Sequence, residues 1–346
     1  MEGQIASVIL AAGKGMRMES QVPKVIHKVC GKPMLLHLLN TLEGLQLDRN
    51  IVVTGYRENM VRDILPRDIN YVHQPRQLGT GDAVKQSAQA LEDFNGAVLV
   101  LCGDTPLLTR GTLLSLIEAH EQGGHDVTIL STVFRDPKGY GRIVRGAAGE
   151  VRRIVEEKDA SPEERAIREI NAGAYVFGKR RLFQSLAQVQ PNPKKGEYYL
   201  TDVVGIINRE GGTVGSWVCK NPTEVLGINN RKQLARAEKI LKTRIIEQLQ
   251  KAGVTVFDPG TTFVGVDVRI GYDTIIQPLS FIDGLSSLGK NCEIGPNATI
   301  SSSRIGNNVQ IKNSVIEHSE IESGAIIRPF TYIRENRVMQ WAAVGV

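Results

Sequence analysis

The stretch VGVDVRIGYDTIIQPLSFIDGLSSLGKNCEIGPNATI, residues 264–300, carries an aliphatic side chain at every sixth position. The aliphatic positions in this phase are Val264, Ile270, Ile276, Ile282, Leu288, Ile294 and Ile300. A period of six is typical of a parallel β-helix, in which one aliphatic residue per face points into the coil. An antiparallel sheet, the alternative, would show a period of two. The series continues less regularly to Ile333, and residues 335–346 do not fit it, so they either cap the coil or mark a repeat cut short.

A different pattern precedes this repeat, because short apolar segments alternate with amphipathic ones. Strands are predicted over residues 7–12, 50–56, 70–74, 96–104 and 125–132, and helices over residues 34–45, 81–92 and 111–123. This alternation predicts an α/β domain with a mostly parallel sheet over residues 1–228. A long charged helix closed by Gly253 follows as a connector over residues 229–253, and residues 254–346 form the coil.

The composition is that of an ordinary globular protein. The 346 residues suffice for two or more domains, and 41% of them are apolar. The net charge of +5 is not concentrated in a long basic block, which favours small anionic substrates over nucleic acid. No secretory leader or membrane-spanning run is recognised, and the four scattered cysteines show neither metal nor disulfide spacing. We therefore expect a soluble cytoplasmic protein with no membrane partner.

A glycine-rich loop, GKGMR at residues 13–17, follows the first predicted strand. The backbone N–H groups of such a loop can point at phosphate oxygens. The loop lacks the Gly-Lys-Ser/Thr ending of a Walker A sequence and the third glycine of G-x-G-x-x-G, so a plain turn is the alternative. Arg17 and Lys24, with Pro23 fixing the backbone before Lys24, favour a clamp for a polyphosphate.

A second glycine-rich loop, QLGTGDA at residues 77–83, lies between a predicted strand and a predicted helix. Gly79 and Gly81 would let the backbone approach a flat or charged ligand closely. Capping of the helix by Thr80 or Asp82 is an alternative that is compatible with ligand binding.

The segment VLVLCGDTPLL, residues 98–108, ends a buried strand in Gly103-Asp104. A carboxylate at this end of a strand is placed to hold Mg²⁺, which needs only one or two protein ligands. Capping of the helix that starts near Gly111 is the weaker alternative, because Asp104 lies too far upstream. Four other segments fit a structural role as well as a functional one: GYGRI (139–143), VEEKDA (155–160), EINAGAYVF (169–177) and GEYYLTD (196–202). We expect Glu156 to follow a strand and Asn171 to begin one.

Taken in order, these segments resemble the sugar-nucleotide pyrophosphorylases. The chain is most similar to the bacterial bifunctional N-acetylglucosamine-1-phosphate uridyltransferase/glucosamine-1-phosphate acetyltransferase family, over about residues 5–334. The resemblance implies a Rossmann-like nucleotidyltransferase domain followed by a left-handed β-helix. It also implies a Mg²⁺-dependent reaction of UTP with N-acetylglucosamine 1-phosphate, giving UDP-N-acetylglucosamine and pyrophosphate for cell-wall precursors.

The resemblance also assigns roles to individual residues. The uracil, ribose and phosphates of the nucleotide would be held by Leu10, Ala11, Ala12, Gly13 and the loop to Arg17, together with Gln74, Gly79, Thr80 and Gly103. Lys24 would contact a phosphate, and with Arg17 it would stabilise the departing pyrophosphate. The amino-sugar would be bound by Gly141, Glu156 and Asn171. Asp104 and Asn229 would bind Mg²⁺, although the residues alone predict only a helix cap at Asn229.

The chain departs from the family pattern at three site positions. Met16 stands where threonine is frequent, Asp82 where histidine is common, and Cys102 where the best-known members have tyrosine. None of these changes removes a proposed ligand, but the last two leave the substrate preference open. A related pyrophosphorylase with another sugar or nucleotide is therefore the main alternative.

The coil is shorter than the family's, and this bears on its second activity. Of the acetyltransferase site that the resemblance implies, only Arg334 is matched, so we expect no acetyl transfer and no acetyl-CoA site. His318 precedes the position that a stand-alone acyltransferase would need, and a non-catalytic homologue should have lost Arg17, Lys24 or Asp104. The family forms trimers along the flat faces of the coil, and the short coil leaves a homotrimer open.

Overall fold

The computed structural model describes residues 3–67, 69–193 and 195–345. The chain divides into two compact units. The first comprises the residues up to His27 together with Pro33–Gln233, and the second comprises Lys28–Lys32 together with the residues from Leu234 onward. A short segment near the start of the chain thus belongs to the second unit.

The chain up to residue 251 contains both strands and helices. The strands are β1 (Gln4–Leu10), β2 (Lys28–Val29), β3 (Lys32–Pro33), β4 (Arg49–Thr54), β5 (Asn70–His73), β6 (Gly96–Cys102), β7 (Val127–Val133), β8 (Arg142–Arg145), β9 (Val151–Val155), β10 (Glu169–Gly178) and β11 (Val214–Val218). The helices are α1 (Met34–Glu43), α2 (Glu58–Arg62), α3 (Thr80–Gln86), α4 (Arg110–Gly123), α5 (Pro162–Arg165), α6 (Lys179–Leu186), α7 (Thr201–Arg209) and α8 (Arg231–Lys251). Short 3₁₀ helices cover Met16–Met18, Lys24–Ile26 and Gln89–Leu91.

The first unit is built on one mixed sheet with the strand order β11-β7-β10-β6-β1-β4-β5. Strand β10 runs antiparallel to both of its neighbours, and the other pairs along this path are parallel. Strands β8 and β9 form an antiparallel hairpin beside β10. Successive residues of β1 face opposite apolar layers, since Val8 belongs to one buried cluster and Ile9 to the other. The predicted α/β domain with a mostly parallel sheet is confirmed.

The parallel register places the ends of β1 and β6 side by side. Leu10 lies opposite Cys102, so the glycine-rich loop and the Gly103-Asp104 turn leave the sheet at the same edge. Ligands of open parallel sheets bind at this carboxyl edge. The fold therefore brings two of the sequence motifs together.

Two local predictions are corrected by the structure, and the weaker alternative for Asp104 is excluded. The helix expected over residues 81–92 is α3, which ends at Gln86, because the Ser87 hydroxyl donates to the Val84 carbonyl at 2.6 Å and competes with the helical pattern. Strand β10 begins at Glu169, which pairs with β7, and not at Asn171. Helix α4 is capped by Thr109, whose hydroxyl accepts from the Thr112 N–H, so Asp104 is not its cap.

The second unit contains stacked strands of two or three residues. They are β12 (Thr255–Val256), β13 (Phe263–Val264), β14 (Arg269–Ile270), β15 (Ile275–Ile276), β16 (Phe281–Asp283), β17 (Ser287–Leu288), β18 (Glu293–Ile294), β19 (Thr299–Ser301), β20 (Arg304–Ile305), β21 (Gln310–Ile311), β22 (Val315–Glu317), β23 (Glu320–Ile321), β24 (Ile326–Ile327), β25 (Tyr332–Arg334), β26 (Arg337–Val338) and β27 (Ala343–Val344). Every third strand joins the same parallel sheet, which gives the three faces of a β-helix. The predicted β-helix is confirmed.

The six-residue period arises because the side chains at these positions fill the interior of the coil. Ile276, Ile282, Ile294 and Ile300 are fully buried. Burial of this kind stabilises the coil by roughly 1.5–3 kcal/mol per large aliphatic side chain. The series becomes irregular where the coils shorten, since Ile282, Ile300 and Ile316 stack at intervals of 18 and then 16 residues.

The segment from residue 335 continues the coil, which its sequence does not suggest. Strand β26 pairs with β23, and β27 pairs with β24, both in parallel register. Val338 faces inward and is buried. Residues 335–345 are therefore part of the coil, and the interpretation of this segment as a cap is wrong.

The hairpin β2–β3 is tied to other segments of the second unit. The Cys30 N–H donates to Oε2 of Glu238 at 2.8 Å, and the Cys30 carbonyl accepts from the Val266 N–H at 3.0 Å. Lys32 forms an ion pair with Asp267 at 2.7 Å. The four cysteines are free thiols, and no described helix is both long and apolar enough to cross a bilayer.

Candidate active site

The side chains of Lys24, Asp104 and Asn229 meet at the carboxyl edge of the sheet. Lys24 Nζ contacts Oδ2 of Asp104 and donates to Oδ1 of Asn229 at 2.9 Å. Pro23 precedes Lys24 and starts a 3₁₀ turn, while Asp104 lies two residues beyond β6. The Lys24 and Asp104 side chains are only 16% and 14% exposed. Opposite charges are thus held together in a largely water-excluded place.

Hydrogen bonds of the neighbouring backbone position Asn229 in this cluster. The Ile228 N–H donates to the Asp104 carbonyl at 3.0 Å. The side chain of Asn230 caps α8 by accepting from the Gln233 N–H at 2.9 Å, and Oε1 of Gln233 accepts from the Asn229 N–H at 2.7 Å. Asn229 is therefore not the cap that the residues alone predict, and its side chain is available to Lys24. The sequence does contain a signal for this: two consecutive asparagines precede the helix, and only one of them is needed as the cap.

The donor set at this cluster suits a hard divalent cation. A carboxylate oxygen of Asp104 and the amide oxygen of Asn229 converge on one cationic group, the Lys24 ammonium. Mg²⁺ prefers oxygen ligands, and at phosphate sites it takes one or two from the protein. Among residues 3–67, 69–193 and 195–345, no group of three or more His, Cys, Asp or Glu side chains could hold a metal.

Main-chain hydrogen bonds fix the start of the glycine-rich loop. The Gly103 N–H donates to the Leu10 carbonyl at 3.0 Å, the Ala11 N–H to Val53 at 2.9 Å, and the Ala12 carbonyl accepts from Tyr56 at 3.0 Å. These bonds hold residues 10–12 against the ends of β4 and β6. The loop beyond them is consequently anchored at its base.

The glycines of this loop differ in their surroundings. Gly15 has a φ of 67°, and a Cβ built on it would lie 2.5 Å from Cβ of Lys24. A Cβ on Gly13 would meet no atom within 4 Å. Gly15 is therefore needed for close packing against Lys24, whereas space is open beside Gly13.

Arg17 is not brought into the cluster. It lies in the 3₁₀ helix Met16–Met18, and its side chain is exposed. Within the described part of the chain, its guanidinium takes part in no hydrogen bond or ion pair. Its predicted contact with phosphate stays a prediction.

The second glycine-rich loop surrounds the amide of Gln74. Nε2 of Gln74 donates to the Gly79 carbonyl at 3.1 Å and to Oδ2 of Asp82 at 2.7 Å. Gly79, with a φ of 101°, precedes α3 and offers no side chain as a cap. The Thr80 hydroxyl accepts instead from the Leu200 N–H at 3.0 Å. The alternative of capping by Thr80 or Asp82 is not observed, because Thr80 accepts from Leu200 and Asp82 accepts from Gln74 and Gln86.

The residues assigned to the amino-sugar lie in or next to adjoining strands: Asn171 in β10, Gly141 just before β8 and Glu156 just after β9. The Asn171 N–H donates to the Gly141 carbonyl at 2.9 Å. The Asn171 amide donates to the Tyr175 hydroxyl at 2.6 Å and accepts from the Gly173 N–H at 3.1 Å. These contacts hold the Asn171 side chain in one orientation.

Glu156 follows β9, as predicted, and is linked to α7. The Thr201 hydroxyl donates to Oε1 of Glu156 at 3.0 Å. Burial raises the pKa of Glu156, and the charge of Asp202 raises it further. A carboxylate in such a place gains from a ligand that donates hydrogen bonds, as sugar hydroxyl and amide groups do.

Cys102 ends β6, two residues before Asp104, and lies close to Gly173 of β10. A Cβ on Gly173 would lie 3.1 Å from its Sγ. Burial raises the pKa of the Cys102 thiol to about 12, and the charge of Asp104 contributes in the same direction. The thiol is therefore neutral at physiological pH.

Comparison with known proteins identifies the family of this chain. Residues 7–203 match the family of MobA-like NTP transferase domains. The Bifunctional protein GlmU of Caldanaerobacter subterraneus subsp. tengcongensis is 45% identical over 97% of this chain and 73% of its own length. The chain belongs to the GlmU family. It is 47% identical to the GlmU of Heliobacterium modesticaldum over 95% of this chain and 72% of that protein, and 45% identical to the GlmU of Thermoanaerobacter pseudethanolicus over 98% and 74%.

Membership in the GlmU family, together with the NTP transferase domain, makes this chain a nucleotidyltransferase. Its MobA-like match ends at residue 203, before the asparagine that meets Lys24. The GlmU match over nearly the whole chain includes both this asparagine and the β-helix. The resemblance stated from sequence motifs is confirmed.

Proposed function

We propose that this nucleotidyltransferase is a Mg²⁺-dependent uridylyltransferase. It would convert UTP and N-acetylglucosamine 1-phosphate into UDP-N-acetylglucosamine and pyrophosphate, a precursor reaction of the cell wall. The observation that carries the proposal is the convergence of the Asp104 and Asn229 oxygens with Lys24 at the carboxyl edge of the sheet. Family membership supports the same class of reaction.

In the proposed reaction, an oxygen of the sugar phosphate attacks the α-phosphorus of UTP. The bond from that phosphorus to the oxygen bridging to the β-phosphate breaks, and pyrophosphate leaves. No covalent intermediate on the protein is needed, so positioning of the two substrates accounts for much of the rate. Asp104 and Asn229 would hold Mg²⁺, which would offset negative charge on phosphate oxygens when bound.

The chain's own cations would act on the triphosphate. Lys24, buried beside Asp104, supplies positive charge where water is largely excluded and where charge interactions are therefore strong. Arg17 is exposed and would stabilise the departing pyrophosphate together with Lys24. Leu10, Ala11, Ala12 and Gly13 would line the nucleotide, with the Ala11 N–H already bonded to the Val53 carbonyl.

The two ends of the product would be bound by separate groups of residues. Gln74, Gly79 and Thr80 would bind the uracil, and Gly103 would allow the nucleotide to approach the end of β6. Gly141, Glu156 and Asn171 would bind the amino-sugar. The proximity of Asn171 to Gly141, through the 2.9 Å main-chain bond, supports a common sugar site.

The deciding experiment combines UTP, N-acetylglucosamine 1-phosphate and Mg²⁺ and measures both products. We expect formation of UDP-N-acetylglucosamine and pyrophosphate, and a loss of turnover by roughly 100-fold or more in Asp104→Ala with the fold intact. Asp93→Ala is a matched control, because Asp93 pairs with Arg49 at 2.7 Å on the surface and should leave turnover unchanged. Full activity of Asp104→Ala would contradict the metal assignment.

A related transferase with another sugar or nucleotide is the alternative function. Cys102 and Asp82 depart from the family pattern, and for this reason the preference for sugar and nucleotide should be tested. A panel of nucleoside triphosphates and sugar 1-phosphates with pyrophosphate as the readout separates the two. Faster product formation with a different pair would replace UTP or N-acetylglucosamine 1-phosphate in the proposal.

Three further expectations remain predictions. The 346-residue polypeptide should not acetylate glucosamine 1-phosphate, since only Arg334 matches the implied acetyltransferase site; an assay with acetyl-CoA tests this. We place the uridylyl reaction in the cytoplasm, where UTP is available, without nucleic acid or membrane as a partner. A homotrimer through the β-helix is testable by light scattering of the purified chain.

A further inference from the structure

The amide of Gln74 is fixed in one orientation. The residue is only 2% exposed, and its Nε2 faces the Gly79 carbonyl at 3.1 Å and Oδ2 of Asp82 at 2.7 Å. A carbonyl and a carboxylate can only accept hydrogen bonds, so the nitrogen of the amide must face them. The amide oxygen, Oε1, necessarily points the other way.

This oxygen is an acceptor that a ligand can reach. In residues 3–67, 69–193 and 195–345, no group donates a hydrogen bond to Oε1 of Gln74. Oε1 of Gln74 is not among the described buried side-chain atoms that lack a partner, so it is open to solvent, and a ligand that donates to it would take the place of water. The orientation therefore selects for a ligand with an N–H at this point.

Nucleotide bases differ in this respect. Uracil presents a ring N–H between two carbonyls, and guanine also carries a ring N–H, whereas the equivalent ring nitrogens of cytosine and adenine are acceptors. Opposite a fixed oxygen, cytosine would place two acceptors face to face. A site that binds an N–H through a fixed acceptor rejects analogues that lack it.

We propose that Asp82 is a positioning residue that sets the base preference by locking the Gln74 amide. This inference rests on the proposed function, in which Gln74 binds the base. The bond to Asp82 is shorter than that to Gly79 and involves a charged acceptor, so it is the stronger of the two. Asp82 is itself steadied by Gln86, whose Nε2 donates to Oδ1 at 3.3 Å.

The test compares kcat/KM for UTP and CTP in Asp82→Ala and Asp82→Asn. In the alanine variant only the longer bond to Gly79 remains, so the amide can turn and present its N–H groups to cytosine. We expect the UTP-to-CTP ratio to fall about tenfold or more, which corresponds to about 1.4 kcal/mol. Asparagine keeps an acceptor oxygen and should retain a ratio within about threefold of the parent. Lys85→Ala, an exposed change on the same helix, should leave the ratio unaltered.

The outcomes distinguish this inference from the proposed function. Asp82→Ala should fold, because alanine favours the helix, and an unchanged melting temperature would verify it. If the parent protein prefers UTP and the UTP-to-CTP ratio of kcat/KM is unchanged in Asp82→Ala, the role of Asp82 is overturned. The proposed function is not affected by that result. A parent selective for GTP would overturn the choice of UTP but leave the locked acceptor standing, since guanine also donates. Equal falls in the asparagine and alanine variants would also overturn the locking role.

Discussion

Lys24 Nζ donates a 2.9 Å hydrogen bond to Oδ1 of Asn229, although the two residues are 205 positions apart in the chain. The same ammonium contacts Asp104, which is 80 positions from it. One side chain thus gathers oxygens from two distant segments. The cluster exists only when β1, β6 and the start of α8 are all in place.

Replacement of Asn229 by alanine should raise the Mg²⁺ concentration needed for half-maximal activity by about tenfold, because one of two protein ligands is lost. The measurement is a Mg²⁺ titration of pyrophosphate release. Asn230→Ala is the matched control, since Asn230 caps α8. It should lower the free energy of unfolding by about 1 kcal/mol and leave the Mg²⁺ requirement unchanged. An equal shift in both variants would contradict the assignment of Asn229.

Replacement of Gly15 by alanine should lower kcat, because the new Cβ would displace Lys24. The left-handed φ should also reduce the free energy of unfolding by about 1–2 kcal/mol. Gly149→Ala provides the control: its φ is 84°, and a Cβ there meets no atom within 4 Å. It should lose similar stability but no activity. If kcat fell equally in both, strain alone would be the cause.

Replacement of Glu156 by glutamine should raise KM for N-acetylglucosamine 1-phosphate by about tenfold or more, with a smaller change in the KM for UTP. The amide can still accept from Thr201, which preserves the 3.0 Å bond and the fold. Steady-state kinetics with each substrate varied in turn give the two constants. Equal rises in both would contradict a role confined to the sugar.

The same variant should alter the pH dependence of stability. Burial raises the folded-state pKa of Glu156 above the ordinary 4.5, so its ionisation opposes folding. The protonated form's stabilising contribution is present below 4.5 and is lost as the pH rises through the folded-state pKa. Glu156→Gln should therefore gain stability relative to the parent between pH 4 and pH 7, as measured by urea unfolding. If the difference in free energy of unfolding between Glu156→Gln and the parent stayed constant from pH 4 to pH 7, the prediction would be wrong.

A buried histidine supplies an opposite pH effect. Burial, with a contribution from His125, lowers the pKa of His120 from 6.5 to about 4. The unfolded state therefore binds the proton more readily, and stability is lost as the pH falls from 6.5 towards 4. His120→Gln should flatten this fall by up to about 3 kcal/mol while keeping a polar partner for Thr128. The prediction would be contradicted if the free energies of unfolding of the parent and of His120→Gln fell by the same amount as the pH is lowered.

Local patterns predicted the fold well where each residue's environment repeats. The aliphatic positions from Val264 to Ile300 indicated the β-helix because identical coils bury identical positions. The pattern failed beyond residue 335, where coils of changed length move the inward position. Helix α3 ended early because a single serine hydroxyl competed for a carbonyl, which periodicity does not register.

The site was predictable only in part. Residues at strand ends, such as Asp104, are placed by the sheet and could be inferred from their positions. The second asparagine before α8 was a signal that Asn229 is not needed as a cap, but its contact with Lys24 could not be inferred locally, because Lys24 is far away in sequence. The alternative of a cap at Thr80 could not be excluded from sequence for the same reason, since its partner Leu200 is 120 positions distant.

The hairpin at residues 28–32 bears on the timing of assembly during translation. Cys30 leaves the ribosome 208 residues before Glu238, its partner in the second unit. Residues 28–32 therefore lack their partner Glu238 until the rest of the first unit has been synthesised. A chain cleaved after residue 233 would separate the β-helix from a piece of itself, and rejoining would require the two fragments to find each other in solution.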